Sequence, residues 1–296
     1  MFKDIIVAVS TGNLDENAVK LAADFTTRFD AKLFLLHVPG MEQGWGSIER
    51  LEASGEAQKL KDEIIKTYSG ILSGVSDYEV VVHPGVPHSE ILRFARNRKS
   101  DLILMGPHSR ENEKRRSMMW GMEGSNLERV SQKARCPVMI VHEEMECREP
   151  LFSRILVATD FSEQADCAVS YGGQLARHYK SGLTVLNVAD PGTSEAEARA
   201  RLEKEYLPRL DGIANMSMVV RNGGTAAEIL AEAQDESADL IIMAHHSKAR
   251  DPEEAFFGST VARVAQNACC PTMSVNRHFD LRCGLMYDQT GGVKQA

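Results

Sequence analysis

The apolar positions of this chain fall into short unbroken runs separated by longer stretches with helical periodicity. The clearest run, Leu102-Ile103-Leu104-Met105, follows Ser100-Asp101 and leads into Gly106-Pro107-His108-Ser109. It returns as Leu240-Ile241-Ile242-Met243 between Ala238-Asp239 and Ala244-His245-His246-Ser247. Runs of this length flanked by helix breakers predict strands buried on both faces, as in a parallel sheet. Ligands of open α/β sheets bind beyond the carboxyl ends of such strands, which directs attention to the residues after Met105 and Met243.

The remainder of the chain repeats in the same order. Ile5 to Ser10 answers to Ile155 to Asp160, and Leu33 to Val38 to Leu183 to Val188, both at an offset of 150 residues. Between them, Ala18, Leu21, Ala22 and Phe25 form a helical stripe matched by Ala168, Tyr171, Gly172 and Leu175. Charged amphipathic stretches follow (Ser47–Ile71 and Ser194–Ile213), read as surface helices. The third strands are Tyr78–Val82 and Met216–Val220; Gly85 and Gly223 come next, at an offset of 138. Pro87 suits a first helical turn, and Thr225-Ala226-Ala227-Glu228 has the spacing of a capping box. Ile91, Leu92 and Ala95 match Ile229, Leu230 and Ala233 on the buried side. Gly124-Ser125 and Gly258-Ser259 introduce the last helices, with Leu127, Val130 and Ala134, or Val261, Val264 and Ala268, facing inward. Cys136-Pro137 and Cys270-Pro271 stop those helices before fifth strands at Val138–Val141 and Thr272–Val275.

The prediction is therefore an α/β protein of two tandem Rossmann-like domains. Each has a five-stranded parallel sheet with helices on both faces. Domain 1 spans 1–142 and domain 2 spans 151–280; Glu143–Leu151 links them, and 281–296 form a tail without periodicity.

Composition narrows the functional classes. The 296 residues are 43% hydrophobic and 26% charged, with a formal net charge of −8. That balance argues against a nucleic-acid partner, which needs a basic face. No apolar run approaches membrane-spanning length, and Met1–Val7 enters a strand pattern without a basic leader or signal core. A cytoplasmic protein without a membrane partner is expected. The six cysteines make no disulfide framework, and Cys269-Cys270, lacking zinc spacing, read as packing residues. Phosphate-loop, nucleophile-elbow and dinucleotide fingerprints are all missing, as are the SGGxDS and HIGH signatures of ATP-dependent activating enzymes. The expectation is a non-enzyme.

Leu156-Val157-Ala158-Thr159-Asp160-Phe161-Ser162, with Asp239–Met243, Gly258-Ser259 and Cys270-Pro271, resembles the universal stress protein family, twice over in tandem. The resemblance implies strand order 3-2-1-4-5 and a cytoplasmic stress-response role. It also implies pairing through fifth strands, within the chain as a pseudo-dimer or between chains as a homodimer. Many members bind ATP or AMP, with no metal beyond magnesium accompanying the nucleotide; others have lost the site. The protein partner is not named by the sequence.

The family's phosphate pattern is Gly-x-x-Gly, nine residues, then Gly-Ser/Thr; glycines admit phosphates close to the backbone, and the next helix supplies amides. Neither copy here is complete. The first keeps Gly106, has Ser109 for the second glycine, places fourteen residues before Gly124-Ser125, and has Ser10 where the family has an acid. The second keeps that acid as Asp160, replaces the glycines by Ala244 and Ser247, and places ten residues before Gly258-Ser259-Thr260. By resemblance, the second-half contacts are Ala158, Thr159, Asp160, Val188, Met243, Ala244, His246, Ser247, Gly258, Ser259 and Thr260. Those of the first half are Ser10, Val38, Met105, Gly106, His108, Ser109, Gly124 and Ser125.

Each has a plainer reading. His108 and His246 are ribose or phosphate contacts, or structural hydrogen-bonding groups. Asp160 contacts a ligand or caps the next helix, for which Ser162 is itself an N-cap candidate. Asp101 and Asp239 are expected to cap or pair locally. Lys114-Arg115-Arg116 could reach phosphates, or form a solvated run with Glu111 and Glu113. Met118-Met119-Trp120 is a lid, an interaction surface or a buried contact. Asp251, Glu253 and Glu254 disfavour a triphosphate more than a monophosphate. The reading is a non-catalytic module with degenerate adenine-nucleotide sites, the second half being the better candidate. Its rivals are a ligand-free interaction scaffold and a weak ATPase.

Overall fold

The computed structural model describes residues 2–12, 15–39, 48–106, 126–141, 152–244 and 260–276. The chain divides into two compact units, 1–143 and 144–296.

The first unit runs β1 (Asp4–Ala8), α1 (Glu16–Phe29), β2 (Lys32–His37), α2 (Ile48–Ala53), α3 (Glu56–Thr67), α4 (Ser69–Leu72), β3 (Tyr78–Val82), α5 (Pro87–Arg98), β4 (Leu102–Met105), α6 (Asn126–Lys133) and β5 (Val138–Ile140). Its strands are parallel in the order β3-β2-β1-β4-β5. The second runs β6 (Arg154–Thr159), α7 (Glu163–Tyr179), β7 (Gly182–Ala189), α8 (Glu195–Tyr206), a 3-10 turn (Leu207–Arg209), β8 (Met216–Asn222), α9 (Thr225–Asp235), β9 (Leu240–Ala244), α10 (Thr260–Asn267) and β10 (Thr272–Val275). The order β8-β7-β6-β9-β10 is the same topology, again parallel.

The central strands have no polar face because helices cover both sides. Ile5, Ile6 and Val7 are fully buried, as are Leu102, Ile103 and Leu104, and their counterparts Ile155–Val157 and Leu240–Ile242. Right-handed crossovers put the helices after β1 and β2 on one face and those after β3 and β4 on the other. Accordingly α1 packs with α4, α5 with α6, and α9 with α10.

Asp101 and Asp239 close the amino end of each sheet. Asp101 Oδ2 accepts the backbone N–H groups of Lys3 (2.8 Å) and Asp4 (3.0 Å). Asp239 Oδ2 accepts those of Ser153 (2.6 Å) and Arg154 (3.1 Å). Each acid thus pins the start of one central strand to the start of its neighbour. Burial pushes the Asp239 carboxyl above its ordinary range, and the two backbone donors oppose that rise.

Three expectations need correction. The charged stretch 47–71 is broken at Gly55, which takes φ +76°, between α2 and α3, and again at Tyr68 between α3 and α4. Thr225 is no N-cap: Gly224 holds that position, and α9 has no side-chain cap bond. Glu228 instead lies over Gly223 (φ +148°) and pairs with Arg221 at 3.6 Å, as Glu90 lies over Gly85, also at +148°. The capping box occurs at Ser194–Glu197, where each side chain bonds the other's backbone. Finally, of the adjacent cysteines only Cys270 is a packing residue; Cys269 is exposed.

Candidate functional site at the carboxyl ends of the central strands

In the second unit, parallel pairing sets Val157 opposite Ile242 and Thr159 opposite Asn187. Ala158, Thr159, Asp160, Val188, Met243 and Ala244 therefore gather along one sheet edge. Thr159 and Met243 are buried, the other four half-buried, and half-buried Thr260 opens α10.

A hydrogen-bond chain supports this edge. Tyr206 donates its hydroxyl proton to Asp166 Oδ1 (2.9 Å), so Thr159 Oγ1 donates to the Tyr206 oxygen (2.8 Å) while accepting the Phe161 N–H (3.0 Å). Burial, reinforced by the Asp166 carboxylate, raises the Tyr206 phenol and keeps it protonated. The Asn187 amide donates to the Thr159 carbonyl at 2.9 Å.

Asp160 turns the chain into α7. Its Oδ1 accepts both the N–H (3.1 Å) and the hydroxyl (2.6 Å) of Ser162, and Ser162 Oγ caps the helix by accepting the Ala165 N–H at 3.2 Å. Between them Phe161 adopts φ +60°, unusual for a bulky residue. Its ring is stacked on Tyr206, with centroids 6.1 Å apart, and the Arg201 guanidinium covers it at 4.1 Å.

The first unit has a carboxylate at the corresponding edge, from a residue the sequence did not single out. The N–H and the hydroxyl of Ser10 both donate to Asp15 Oδ2, each at 2.8 Å. Asp15 is 9% exposed. Its other oxygen faces Gly106, where an added Cβ would lie 2.9 Å away. The equivalents of Asp15 and Gly106 in the second unit are Ala165 and Ala244. One unit has an acid with a glycine beside it; the other has a methyl in each place and takes its acid from Asp160.

Tyr68, the counterpart of Tyr206, donates to the Gly12 carbonyl at 2.9 Å, and burial with the Asp15 charge raises its phenol. His37 Nδ1–H donates to the Val9 carbonyl at 2.8 Å, as Asn187 does to Thr159. Met105 is buried and Val38 half-buried at this edge. His108, Ser109, Gly124, Ser125, His246, Ser247, Gly258 and Ser259 lie outside the described residues, as do 110–123, His245, 248–257 and the tail.

The universal stress protein family model matches residues 1–142 and 151–276. This chain belongs to the universal stress protein family. It carries two such domains in tandem. Two universal stress proteins of Methanocaldococcus jannaschii, MJ0531 and MJ0577, are 28% and 27% identical over 149 and 165 residues. Each alignment spans 48% of this chain and 82% or 95% of the relative. A universal stress protein from Archaeoglobus fulgidus superimposes with a TM-score of 0.70 at 22% identity, covering 93% of this chain and 96% of that one. Among the described residues no helix is long and apolar enough to cross a membrane, and no three His, Cys, Asp or Glu side chains are grouped to hold a metal ion.

Proposed function

We propose that this tandem universal stress protein is a non-catalytic stress-response module of the cytoplasm in which the second unit binds an adenine nucleotide with few phosphates. The observation that carries the reading is the different source of the carboxylate at the two strand edges. In the second unit Asp160 is half-buried at the end of β6, beside half-buried Ala158 and Ala244 and next to Val188 across the sheet. These residues fit an adenosine moiety, with Asp160 as the polar contact. In the first unit the buried Asp15 carboxylate stands against Gly106, where a phosphate would need the backbone. An anionic group is repelled there, so the first unit is a structural partner.

Thermal-shift titration of the full chain with ATP, ADP and AMP tests this. AMP is expected to raise the melting temperature with increasing concentration, at least as strongly as ATP, by mass action on the folded state. Asp160→Ala should abolish the increment. No shift with any of the three supports the interaction scaffold instead, and phosphate release above a protein-free blank supports the ATPase.

A further inference from the structure

The two units differ on the sheet face that carries α5 in one and α9 in the other. In the first unit Phe34 of β2 is 1% exposed. Its ring meets Phe94 of α5 edge-on, centroids 5.6 Å apart. The Arg98 guanidinium lies 4.4 Å from its centroid and the Lys32 ammonium 5.1 Å. Arg98 also reaches Asp4 at 3.4 Å.

The second unit has Thr184, Glu232, Glu236 and Gly182 at the places of Phe34, Phe94, Arg98 and Lys32. None of them refills the space. Glu232 turns to Arg221 at 2.5 Å, and Arg154, in the place of Asp4, donates to the Glu236 carbonyl at 3.1 Å. A cavity of about 610 Å³ results, lined by Arg154, Leu156, Thr184, Asn215, Ser217 and Glu236 among others. Its volume is that of small-molecule sites, roughly 300–1,000 Å³. Thr184 Oγ1, buried, and Ser217 Oγ, on an exposed residue, lie 2.8 Å apart in its wall, and neither hydroxyl has another partner among the described residues. One proton serves that bond; the pair keeps one donor and free lone pairs.

We propose that this hollow is a binding site for an uncharged planar heteroaromatic molecule, whose ring takes the volume of the first unit's phenyl and whose polar edge bonds Thr184 and Ser217. A hydrocarbon ring would cover the hydroxyl pair without bonding it, whereas a ring nitrogen or carboxamide satisfies it. Arg154 and Glu236 place opposite charges at the rim, so neither an anion nor a cation is favoured over a neutral ligand. The site lies at the amino ends of β6 and β7, the edge opposite Asp160, and is independent of any nucleotide site.

Nicotinamide serves as the probe, titrated to about 10 mM into the isotope-labelled full chain, a range that captures millimolar affinity. Saturable amide shifts at Leu183, Thr184 and Ser217 are expected. Thr184→Phe, which restores the first unit's ring, should abolish them. Thr184→Val, which keeps the shape and removes the hydroxyl, should weaken binding about tenfold while leaving that of toluene unchanged. An AMP response, where present, should be unaltered in both variants, which separates this site from the nucleotide edge. Absence of saturable shifts in the parent chain overturns the proposal. So does equal nicotinamide binding by Thr184→Val, or by Thr184→Phe with its native spectrum intact.

Discussion

Asp15 and Gly106 are complementary: the carboxylate of one occupies the room left by the side chain the other lacks, with an added Cβ on Gly106 reaching Asp15 Oδ1 at 2.9 Å. Asp15 is not free to retreat, since Ser10 holds its second oxygen through two bonds. Gly106→Ala should therefore cost about 1–2 kcal/mol in urea denaturation, in the range of modest overpacking. In an Asp15→Ala background, which reproduces the Ala165–Ala244 pair of the second unit, the same change should cost far less. A coupling near zero in this double-mutant cycle would show that the two residues act independently.

The aromatic hydroxyls beneath the two edges are unequal. Tyr206 bonds the side chains of Thr159 and Asp166, whereas the Tyr68 hydroxyl meets main chain, donating to the Gly12 carbonyl and accepting the Asp15 N–H. Tyr206→Phe leaves the buried Thr159 hydroxyl and the half-buried Asp166 carboxylate to rearrange and should destabilise by about 2 kcal/mol; Tyr68→Phe, which loses only main-chain partners, should cost about 1 kcal/mol. Equal losses in chemical denaturation would contradict this ranking.

The capping box of α8 gives a local test. Ser194→Ala removes an acceptor for the Glu197 N–H and a donor to the Glu197 carboxylate, and should cost about 1 kcal/mol. Thr225→Ala, at the site whose spacing mimics a box, should change stability by less than about 0.5 kcal/mol. A larger loss for Thr225→Ala than for Ser194→Ala would reverse the assignment.

His83 makes part of the stability depend on pH. Burial lowers its pKa from the ordinary 6.5, helped by Arg93 and Lys61 and opposed by Glu90. Glu90 stands 3.8 Å from the imidazole but is bonded by Arg93 at 3.0 Å, so its charge is largely committed elsewhere. The folded state favours the neutral ring. Its contribution is complete above about pH 6.5 and is lost as pH falls through the depressed value, because the unfolded chain protonates first. In an NMR titration His83 should be neutral at pH values where exposed imidazoles are already charged. His83→Gln should flatten the acid limb of the stability curve, and an unchanged limb would assign that dependence to other groups.

Why some of this could be read along the chain and some could not follows from the range of the forces. Leu102–Met105 and Leu240–Ala244 were legible because burial on both faces leaves no polar position to interrupt the run. Ser162 was legible because an N-cap acts on amides three residues away. The Thr225 capping box misled because the same Glu spacing serves a different end: Glu228 covers Gly223 and meets Arg221, which precedes the helix. Asp15 was missed because its role depends on Gly106, ninety-one residues later, and on Ser10 having lost the family's acid. Glu232, buried at 3%, looked like any polar helix residue until Arg221 was placed beside it.

The clamps at Asp101 and Asp239 bear on how the polypeptide is made. In each unit the first strand to leave the ribosome lies at the middle of the finished sheet, and its second neighbour emerges 98 residues later in the first unit and 86 in the second. Until then β1 or β6 presents an open hydrophobic margin on one side, and long-range parallel pairing closes slowly. Each aspartate is translated just before the late strand and grips the start of the early one, so the nascent chain carries its own latch at the point where the sheet must be zipped shut.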